Sequence, residues 1–331
     1  MLKVKYRADG AFDKFKARLV ARGFLARIGI DFFSTFSPMA SMTAVRALCS
    51  LACTMNLPIM HSDIPQAFIQ STLDSDSSWM TLPKGVYLED TDGEHHTLVK
   101  LKKALYGLRQ SPQLWNKALT EFFGTECGLT KAKSETCLHY KHENGKFLLV
   151  LTEVDDLVYT GDQELVDIFE AKLKKKWNIQ QSEPLRSFLG ININYDREQG
   201  TIEFDVAEKI RRLFEEKPWR INQPKLESLI PPITARSYPL IETKHYASVV
   251  GACIYMAITC RPDIAHAVGR VSRAMLNPSL DDARRVITLL QYLNRTRSHK
   301  LVYHRDEHRM RRQLHKYAEK DRGFHNYLKS Q

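Results

Sequence analysis

The 331-residue sequence has few cysteines, no long hydrophobic run and no internal repeat. Its six cysteines are too few for the disulfide framework of a secreted domain, and their spacing shows no zinc-ligand pattern. No apolar run approaches the ~20 residues needed to cross a membrane, and the N-terminus lacks the apolar core of a signal peptide. We therefore predict an intracellular protein, cytoplasmic or nuclear, in a reducing compartment and with no membrane partner.

The composition is that of an ordinary globular chain, with 43% hydrophobic and 26% charged residues. Its length allows a substantial core and favours two domains. Lysine and arginine total 49 against 38 acidic residues, which gives a formal net charge of +11. A basic excess of this size favours a polyanionic partner but does not by itself identify one.

Two adjacent acids, Asp155 and Asp156, interrupt the most apolar stretch of the chain. Branched and aromatic residues precede them from Phe147 and follow them to Tyr159, and Gly161 closes the stretch. This pattern predicts two short strands joined in a β-hairpin at the acidic pair. Adjacent carboxylates between apolar strands repel each other, and a divalent cation commonly relieves such repulsion. The pattern also fits an ordinary turn, because Asp is a frequent turn residue.

A further acid, Asp63, lies where a predicted strand gives way to a predicted helix. Pro58 opens the strand, which ends near Asp63, and Pro65 fits the first turn of the helix. That helix would carry Ala67, Phe68 and Leu73. Taken alone, Asp63 fits a helix cap as well as a catalytic group.

A row of cations occupies the N-terminal region. Asp9–Gly10 is a hairpin signal, and Lys14, Lys16, Arg18 and Arg22 follow at even spacing. Alternation on one strand would place these cations on one face. The opposite face would carry Phe15, Ala17, Leu19 and Ala21. Such a cationic face suits phosphate, and it equally suits an edge strand protected by charge.

Helical periodicity appears in several other parts of the chain. One helix is predicted from Ser41 to Met55, with Cys49 and Cys53 packed as small apolar residues. Its buried stripe would be Val45, Leu48, Ala52 and Met55. A second helix is predicted from Pro112 to Phe123, with an apolar face of Leu114, Ala118 and Phe122. Gln110, just before it, fits either a ligand contact or a surface amide.

The C-terminal third is predicted to be helical, with three apolar stripes that indicate bundle core. The stripes are Val206, Ile210, Leu213 and Phe214; Ile264, Val268, Val271 and Met275; and Ala283, Val286, Ile287, Leu290 and Leu293. The proline-rich stretch Lys217 to Pro239 is predicted to be a linker. The basic tail after His304 fits either a disordered arm or a solvated helix.

The order of these pieces resembles the reverse transcriptase of copia-type LTR retrotransposons. The matching stretches are FKARLVARGF (15–24), GIDFFSTFSPMA (29–40), SDIPQAF (62–68), WMTLPKGV (79–86), KKALYGLRQSPQLW (102–115), VDDLVYTG (154–161), SFLGI (187–191), YASVVGACIYMAITCRPDIAHAV (246–268) and QYLNRTRSHKLVYH (291–304). The resemblance implies an α+β right-hand polymerase. Fingers and a palm with an antiparallel sheet would span residues 1–195, a helical thumb or connection 196–304, and a basic tail without RNase H 305–331.

The resemblance also implies the site residues. Asp63, Asp155 and Asp156 would be the catalytic carboxylates and would hold two Mg²⁺ ions, for which Mn²⁺ could substitute. The nucleotide-binding residues would be Phe68, Gln110, Arg18 and Lys16, and the primer grip would be Leu189 and Gly190. The implied partners are dNTPs and an RNA or DNA template with its primer.

The chain departs from the family pattern in two places. Glu153 replaces an aromatic residue two positions before Asp155, and strand alternation predicts that both side chains share a face. The stretch from Gln180 to Pro184 lacks the usual Lys and Gly. We also expect a fragment of a longer polyprotein that begins inside the fingers. The sequence thus predicts an RNA-directed DNA polymerase, whose activity would be weakened by Glu153 and by truncation. The alternative is an inactive relic that still binds nucleic acid.

Overall fold

The computed structural model describes residues 2–6, 12–73, 78–179, 181–215 and 243–305. The chain divides into two compact units, one formed by Met1–Leu48 with Pro58–Pro184 and the other by Cys49–Leu57 with Leu185–Gln331. Four of the predicted features lie outside the described residues: the Asp9–Gly10 turn, Gln180, the linker from Lys217 to Pro239, and the tail from residue 306. The predicted boundary between 195 and 196 stays a prediction.

The described part of the first unit combines short strands with three helices. Its strands are β1 (Leu2–Tyr6), β2 (Phe12–Ala17), β3 (Met60–Asp63), β4 (Trp79–Thr81), β5 (Leu88–Glu89), β6 (His95–His96), β7 (Leu98–Lys100), β8 (Thr130–Lys131), β9 (Leu138–Glu143), β10 (Lys146–Glu153), β11 (Asp156–Gly161) and β12 (Glu183–Pro184). Its helices are α1 (Met42–Met55), which continues into the second unit, α2 (Ser111–Phe122) and α3 (Gln163–Trp177). Short 3₁₀ turns span Gly23–Leu25 and Ala67–Gln70, and a π-helical turn spans Phe123–Cys127.

A six-stranded antiparallel sheet is the centre of the first unit, with the strand order β12-β3-β11-β10-β9-β8. The predicted hairpin is confirmed, because β10 and β11 pair directly on either side of the acidic turn. Side chains of α2 and α3 bury their apolar stripes against Val150, Leu157 and Tyr159 of this hairpin. Each large apolar side chain buried in this way contributes about 1.5–3 kcal/mol, so the core fixes the hairpin as a rigid element.

Two helices begin and end close to their predicted bounds. The helix α1 starts one residue after Ser41, whose hydroxyl accepts a hydrogen bond from the Ala44 backbone N–H at 3.1 Å and thereby caps the helix. The buried face of α2 differs from the prediction. Its buried apolar residues are Trp115, Leu119 and Phe122. The indole of Trp115, rather than Leu114, faces the core because it packs against Trp177, with ring centroids 5.3 Å apart, and donates to the Val154 carbonyl.

The predicted helix after Pro65 is wrong in length and type. The structure has only a 3₁₀ turn, Ala67–Gln70, and the next residue, Ser71, is already extended. The chain leaves the helical path because Ser71 accepts a backbone hydrogen bond from Ala104 at 2.9 Å and Thr72 bridges to Lys103. Tertiary pairing therefore overrides the local helical pattern.

The predicted cationic strand is also shorter than expected. Strand β2 ends at Ala17, so Arg18 and Arg22 do not continue its alternation. Phe15, expected on a packed apolar face, is 77% exposed. The strand ends there because the following segment pairs elsewhere, with the Ala21 N–H donating to the Tyr106 carbonyl at 2.7 Å.

The second unit contains a sheet that the sequence reasoning missed. Its strands are β13 (Ser187–Phe188), β14 (Ile191–Asp196), β15 (Thr201–Asp205) and β16 (Leu301–His304), in that order and antiparallel. Its described helices are α4 (Ala207–Glu215), α5 (Thr243–Thr259), α6 (Ala265–Ser272) and α7 (Leu280–Arg295). The purely helical prediction is wrong because β15 has a strand pattern, TIEFD, that buries Ile202 and Phe204.

Most residues of the three predicted C-terminal stripes are buried, with Phe214, Met275 and Ala283 partly exposed. A capping box begins α7, since Ser279 and Asp282 exchange side chain–backbone hydrogen bonds. No helix within the described ranges is both long and apolar enough to span a membrane.

Candidate active site

The three predicted catalytic aspartates meet at one end of the first unit's sheet. Asp156 begins β11 and lies directly opposite Asp63, the last residue of β3. Asp155 occupies the turn before β11, and its carbonyl accepts a hydrogen bond from the Ile64 N–H at 2.8 Å. Directly paired residues of antiparallel strands project from the same face, so the sheet places the carboxylates of Asp63 and Asp156 side by side.

The turn that carries Asp155 has an unusual backbone conformation. Val154 has a φ of 55°, in the left-handed region that a β-branched residue rarely adopts. Its carbonyl accepts a hydrogen bond of 2.5 Å from the indole Nε1 of Trp115, a side chain only 1% exposed. A strained conformation of this kind persists only when surrounding contacts fix it. Trp115 supplies such a contact from the core.

Mutual repulsion and burial make the acidic cluster electrostatically unfavourable. Burial raises the pKa of Asp63 and of Asp155, and the charge of Asp156 raises both further. Nearby basic side chains oppose this effect: His61 and, to a smaller extent, Lys16 lower the pKa of Asp63, and Arg18 lowers that of Asp155. The predicted nucleotide-binding cations Lys16 and Arg18 are therefore close enough to the aspartates to interact with them.

The donor chemistry of the three aspartates fits magnesium or manganese, which prefer carboxylate oxygens. Their repulsion is the condition that a divalent cation relieves. The three side chains do not converge as tightly as the ligands of a bound ion. Carboxylate oxygens taken one from each aspartate do not all lie within 4.8 Å of one another. In the described ranges only Asp90, Glu94 and His96, all exposed on the β5–β6 hairpin, meet that distance.

A stack of aromatic and cationic groups adjoins the aspartates. The rings of Phe68 and Tyr106 meet edge to face with centroids 5.0 Å apart, and the Arg18 guanidinium lies 5.0 Å from the Tyr106 centroid. Burial raises the pKa of Tyr106, and the charges of Asp155 and Asp63 add to that rise. Phe68 and Arg18, which the resemblance assigned to nucleotide binding, are thus joined through Tyr106.

A close backbone approach positions this stack. Gly107 has a φ of 90°, and a Cβ there would lie 2.2 Å from the Ala21 carbonyl oxygen. Conversely, a Cβ on Gly23 would lie 2.0 Å from the Gly107 oxygen. Only glycine fits both positions, and the resulting contact brings the segment after Arg18 against Tyr106.

Gln110 lies just before α2, and its side chain forms a hydrogen bond with the N-terminal segment. Its Nε2 donates to the Asp31 carbonyl at 3.4 Å, and its Oε1 is buried with no hydrogen-bond partner among the described residues. This contact does not link Gln110 to the aspartates. Its predicted role in nucleotide binding stays a prediction.

Glu153 is placed differently from the prediction. The turn begins at Val154, so alternation breaks and Glu153 pairs with Asp156 rather than sharing a strand face with Asp155. Its carboxylate is buried and accepts a hydrogen bond from the Ala40 N–H at 2.7 Å. Burial raises the pKa of Glu153, and the Ala40 N–H opposes that rise. One oxygen of the extra carboxylate is therefore occupied by the backbone that precedes α1.

The predicted primer grip is a hairpin turn of the second unit. Leu189 and Gly190 join β13 to β14 with φ values of 50° and 75°. The Tyr255 hydroxyl donates to the Leu189 carbonyl at 2.7 Å. The Lys209 ammonium lies 3.6 Å from the Tyr255 ring centroid and would contact a Cβ on Gly190. The primer role of this turn stays a prediction.

Sequence reasoning missed three residues that contact the predicted site. They are Trp115, Tyr106 and His61, whose Nε2 lies 2.8 Å from the Asp156 carboxylate. For His61 a signal was available, because it precedes Asp63 by two residues on a predicted strand and so shares its face. No local pattern identifies Trp115 or Tyr106, since each contact spans distant parts of the chain.

The chain has the α+β fold of right-hand polymerases, with an antiparallel sheet that carries the paired acids. Residues 3–224 match the family model for reverse transcriptase (RNA-dependent DNA polymerase), and the chain belongs to that family. Its curated relatives include the "Retrovirus-related Pol polyprotein from transposon TNT 1-94" of Nicotiana tabacum, which is 31% identical over 89% of this chain. The corresponding protein from transposon RE1 of Arabidopsis thaliana is 32% identical, also over 89%.

These relatives are transposon Pol polyproteins, so the resemblance to copia-type reverse transcriptases is confirmed. The chain spans only 23% and 20% of the length of the two relatives. Among solved structures, a foamy viral protease–reverse transcriptase in complex with double-stranded DNA aligns with a TM-score of 0.43 and 11% identity, over 89% of this chain and 43% of that one.

Proposed function

We propose that the chain is an RNA-directed DNA polymerase that adds deoxynucleotides to a primer 3′-hydroxyl, as a part of a longer transposon polyprotein. The observation that carries this proposal is the direct pairing of Asp63 with Asp156, with Asp155 in the adjoining turn. Burial and mutual repulsion raise the pKa of Asp63 and of Asp155, which is the electrostatic condition that divalent cations relieve.

Each part of the site has a role in this proposal. Asp63, Asp155 and Asp156 would hold two magnesium ions, or manganese in their place, and bound ions would supply Lewis-acid stabilisation of phosphoryl charge. Lys16 and Arg18 balance the aspartates and would bind the triphosphate. The remaining assignments are Phe68 beneath the sugar, Gln110 at the nucleotide, and the Leu189–Gly190 turn at the primer.

A second candidate is an inactive relic that binds a nucleic-acid template and primer without extending it. The pairing of Glu153 with Asp156 favours it, because it places a fourth carboxylate at the end of the sheet that carries the three aspartates. The carboxylate of Glu153 adds a further charge to the same end of the sheet. Glu153→Gln tests that charge alone, because the amide oxygen can still accept the Ala40 N–H.

Single-nucleotide extension on an RNA template, with the full chain and magnesium, tests the proposal. Asp155→Asn should reduce the rate at least about a thousandfold, because several kcal/mol of charge stabilisation depend on the metal ligands. Asp167→Asn, on the exposed face of α3, is the matched control and should extend like the wild type. Salt-dependent primer–template binding without extension would instead establish the relic. Absence of both extension and binding would exclude both candidates.

A further inference from the structure

His61 makes a direct contact with the acidic cluster through a side chain that the proposed mechanism does not use. Its Nε2 lies 2.8 Å from Oδ1 of Asp156. An ionised carboxylate can only accept hydrogen bonds, so the imidazole donates, and the proton lies on Nε2. The two side chains are partly protected from solvent, at 28% and 43% exposure.

The register of the sheet explains how His61 reaches this carboxylate. Asp63 is paired with Asp156, and His61, two residues earlier on β3, projects from the same face. His61 is therefore the diagonal neighbour of Asp156, a separation that a ring can bridge. On its other side, His61 is paired with Glu183 of β12. The imidazole thus lies on a face that carries Asp63, Asp156 and Glu183.

The contact restricts the Asp156 side chain in two ways. A hydrogen bond to Oδ1 selects one orientation of the carboxylate and leaves Oδ2 available. The donor also compensates part of the repulsion among neighbouring acids, which otherwise favours separation of the carboxylates. Groups that hydrogen-bond to metal-ligating carboxylates in this way typically change metal affinity or activity 10- to 100-fold when they are removed.

We propose that His61 is a positioning residue that holds the Asp156 carboxylate in the orientation used for divalent-cation binding. This inference rests on the proposed function, because it assigns Asp156 as a metal ligand. It concerns the hydrogen-bond donor at Nε2 and not the charge of the ring. Gln places an amide donor at a similar reach, whereas Leu fills similar volume without a donor, so the two substitutions separate the donor from packing.

The test measures Mn²⁺ binding to the full chain at mildly alkaline pH, from the electron paramagnetic resonance signal of free Mn²⁺. The binding of interest is the part lost in Asp155→Asn, which retains the exposed cluster of Asp90, Glu94 and His96. His61→Leu should weaken this binding about tenfold, and His61→Gln should stay within about twofold of the wild type. His266→Leu, at an exposed position of α6, is the control for loss of a histidine.

The outcomes distinguish the two proposals. Wild-type affinity in His61→Leu, or equal weakening in Leu and Gln variants, overturns the positioning role while the metal site stands. Absence of any Mn²⁺ binding that depends on Asp155 overturns the metal site and the role of His61 with it. In extension assays, His61→Leu should raise the Mg²⁺ concentration for half-maximal rate and leave the KM for primer–template unchanged, with rescue by Gln. Circular dichroism confirms that each variant is folded.

Discussion

Two hairpin turns, one in each unit, place bulky residues in the left-handed region. In the first, Val154 has a φ of 55° and is followed by Asp155. In the second, Leu189 has a φ of 50° and is followed by Gly190 at 75°. The left-handed conformation costs about 1–3 kcal/mol at a non-glycine residue, and it strains the β-branched Val154 more than Leu189, while Gly190 accepts it without steric cost. The first turn is therefore the more strained of the two.

The same kind of contact stabilises both turns. In each, an aromatic side chain donates a hydrogen bond to the backbone carbonyl of the strained residue. Trp115 donates to Val154 at 2.5 Å, and Tyr255 donates to Leu189 at 2.7 Å. The two donors differ in burial, since Trp115 is 1% exposed and Tyr255 is only half-buried. We infer that the first turn depends on the hydrophobic core, and that the second depends on a contact nearer the surface.

The largest predicted effect comes from removing the buried donor. Trp115→Phe leaves the Val154 carbonyl without its partner and leaves unfilled space in the core, which together should lower the free energy of unfolding by about 3–4 kcal/mol. Urea unfolding of the full chain measures this change. Trp79→Phe removes an exposed indole from β4 and should change stability by less than about 0.5 kcal/mol. Equal losses in both variants would contradict the dependence of the first turn on the core.

Acid should destabilise the first unit at a higher pH than the second. The first unit contains the buried His139, on β9 of the sheet that also carries the Val154 turn. Burial and the charge of Lys131 lower the pKa of His139 to about 4 from a usual 6.5, against a smaller opposing effect of the Cys137 backbone. The unfolded chain therefore binds a proton between pH 6.5 and about 4 that the folded chain does not. His139 alone should therefore cost the first unit up to about 3 kcal/mol of stability as pH falls through this window.

The second unit should respond only at lower pH. The Arg261 guanidinium lowers the pKa of Asp263 below 3.8, so the stability from this pair is lost only as pH falls through the lowered value. Urea unfolding at a series of pH values, followed by tryptophan fluorescence, measures chiefly the first unit, which holds Trp79, Trp115 and Trp177 of the four tryptophans. His139→Leu should abolish the loss above pH 4, and His266→Leu should not. An unchanged acid response in His139→Leu would assign it to other groups.

The acidic hairpin was predictable because its sequence pattern is local. Apolar runs on both sides of Asp155 and Asp156 permit one strand register, and the order of motifs supplies the rest of the site. The 3₁₀ turn at Ala67–Gln70 was not predictable, because Ser71 leaves the helical path to pair with Ala104. The end of β2 at Ala17 likewise depends on a contact with a segment far along the chain.

The aromatic donors that stabilise the two turns could not be predicted from sequence patterns either, because each contacts a segment far along the chain. Trp115 lies 39 residues from Val154, and Tyr255 lies 66 residues from Leu189. A stripe at helical spacing indicates that an aromatic residue is buried, but it does not indicate which backbone carbonyl its polar atom meets. Local pattern identifies the residues proposed to perform chemistry more readily than the residues that orient them.

A smaller effect is predicted for the donor of the second turn. Tyr255→Phe removes the hydroxyl and retains the ring under Lys209, so it should cost about 1 kcal/mol of stability. Primer–template affinity should fall severalfold if the Leu189–Gly190 turn contacts the primer as proposed. Tyr303→Phe, on β16, is the matched control for loss of a phenol. Fluorescence anisotropy of labelled primer–template measures the affinity, and equal binding by both variants would argue against a primer role for the turn.

The smallest predicted change in stability is the one that separates strain from function. Val154→Gly relieves about 1–3 kcal/mol of backbone strain but loses partly buried side-chain surface and adds about 0.5–1 kcal/mol of unfolded-state entropy. These terms nearly cancel, so urea unfolding should change by no more than about 0.5 kcal/mol. Extension should nevertheless fall at least about tenfold, because a turn free to move by ~1 Å no longer fixes Asp155 beside Asp63 and Asp156.

Leu189→Gly provides the comparison within the same chain. It removes the corresponding bulky residue from a turn that carries no carboxylate. At saturating primer–template, Leu189→Gly should therefore extend within about twofold of the wild-type rate, whereas Val154→Gly should be slower than that. Extension that is unchanged in both variants would show that strain at Val154 is incidental to the site. Equal loss in both would show that rigidity is required at each turn, and the distinction drawn from the carboxylate of Asp155 would then be wrong. If Val154→Gly alone is slow yet as stable as the wild type, the strained conformation serves the position of the acid and not the stability of the fold.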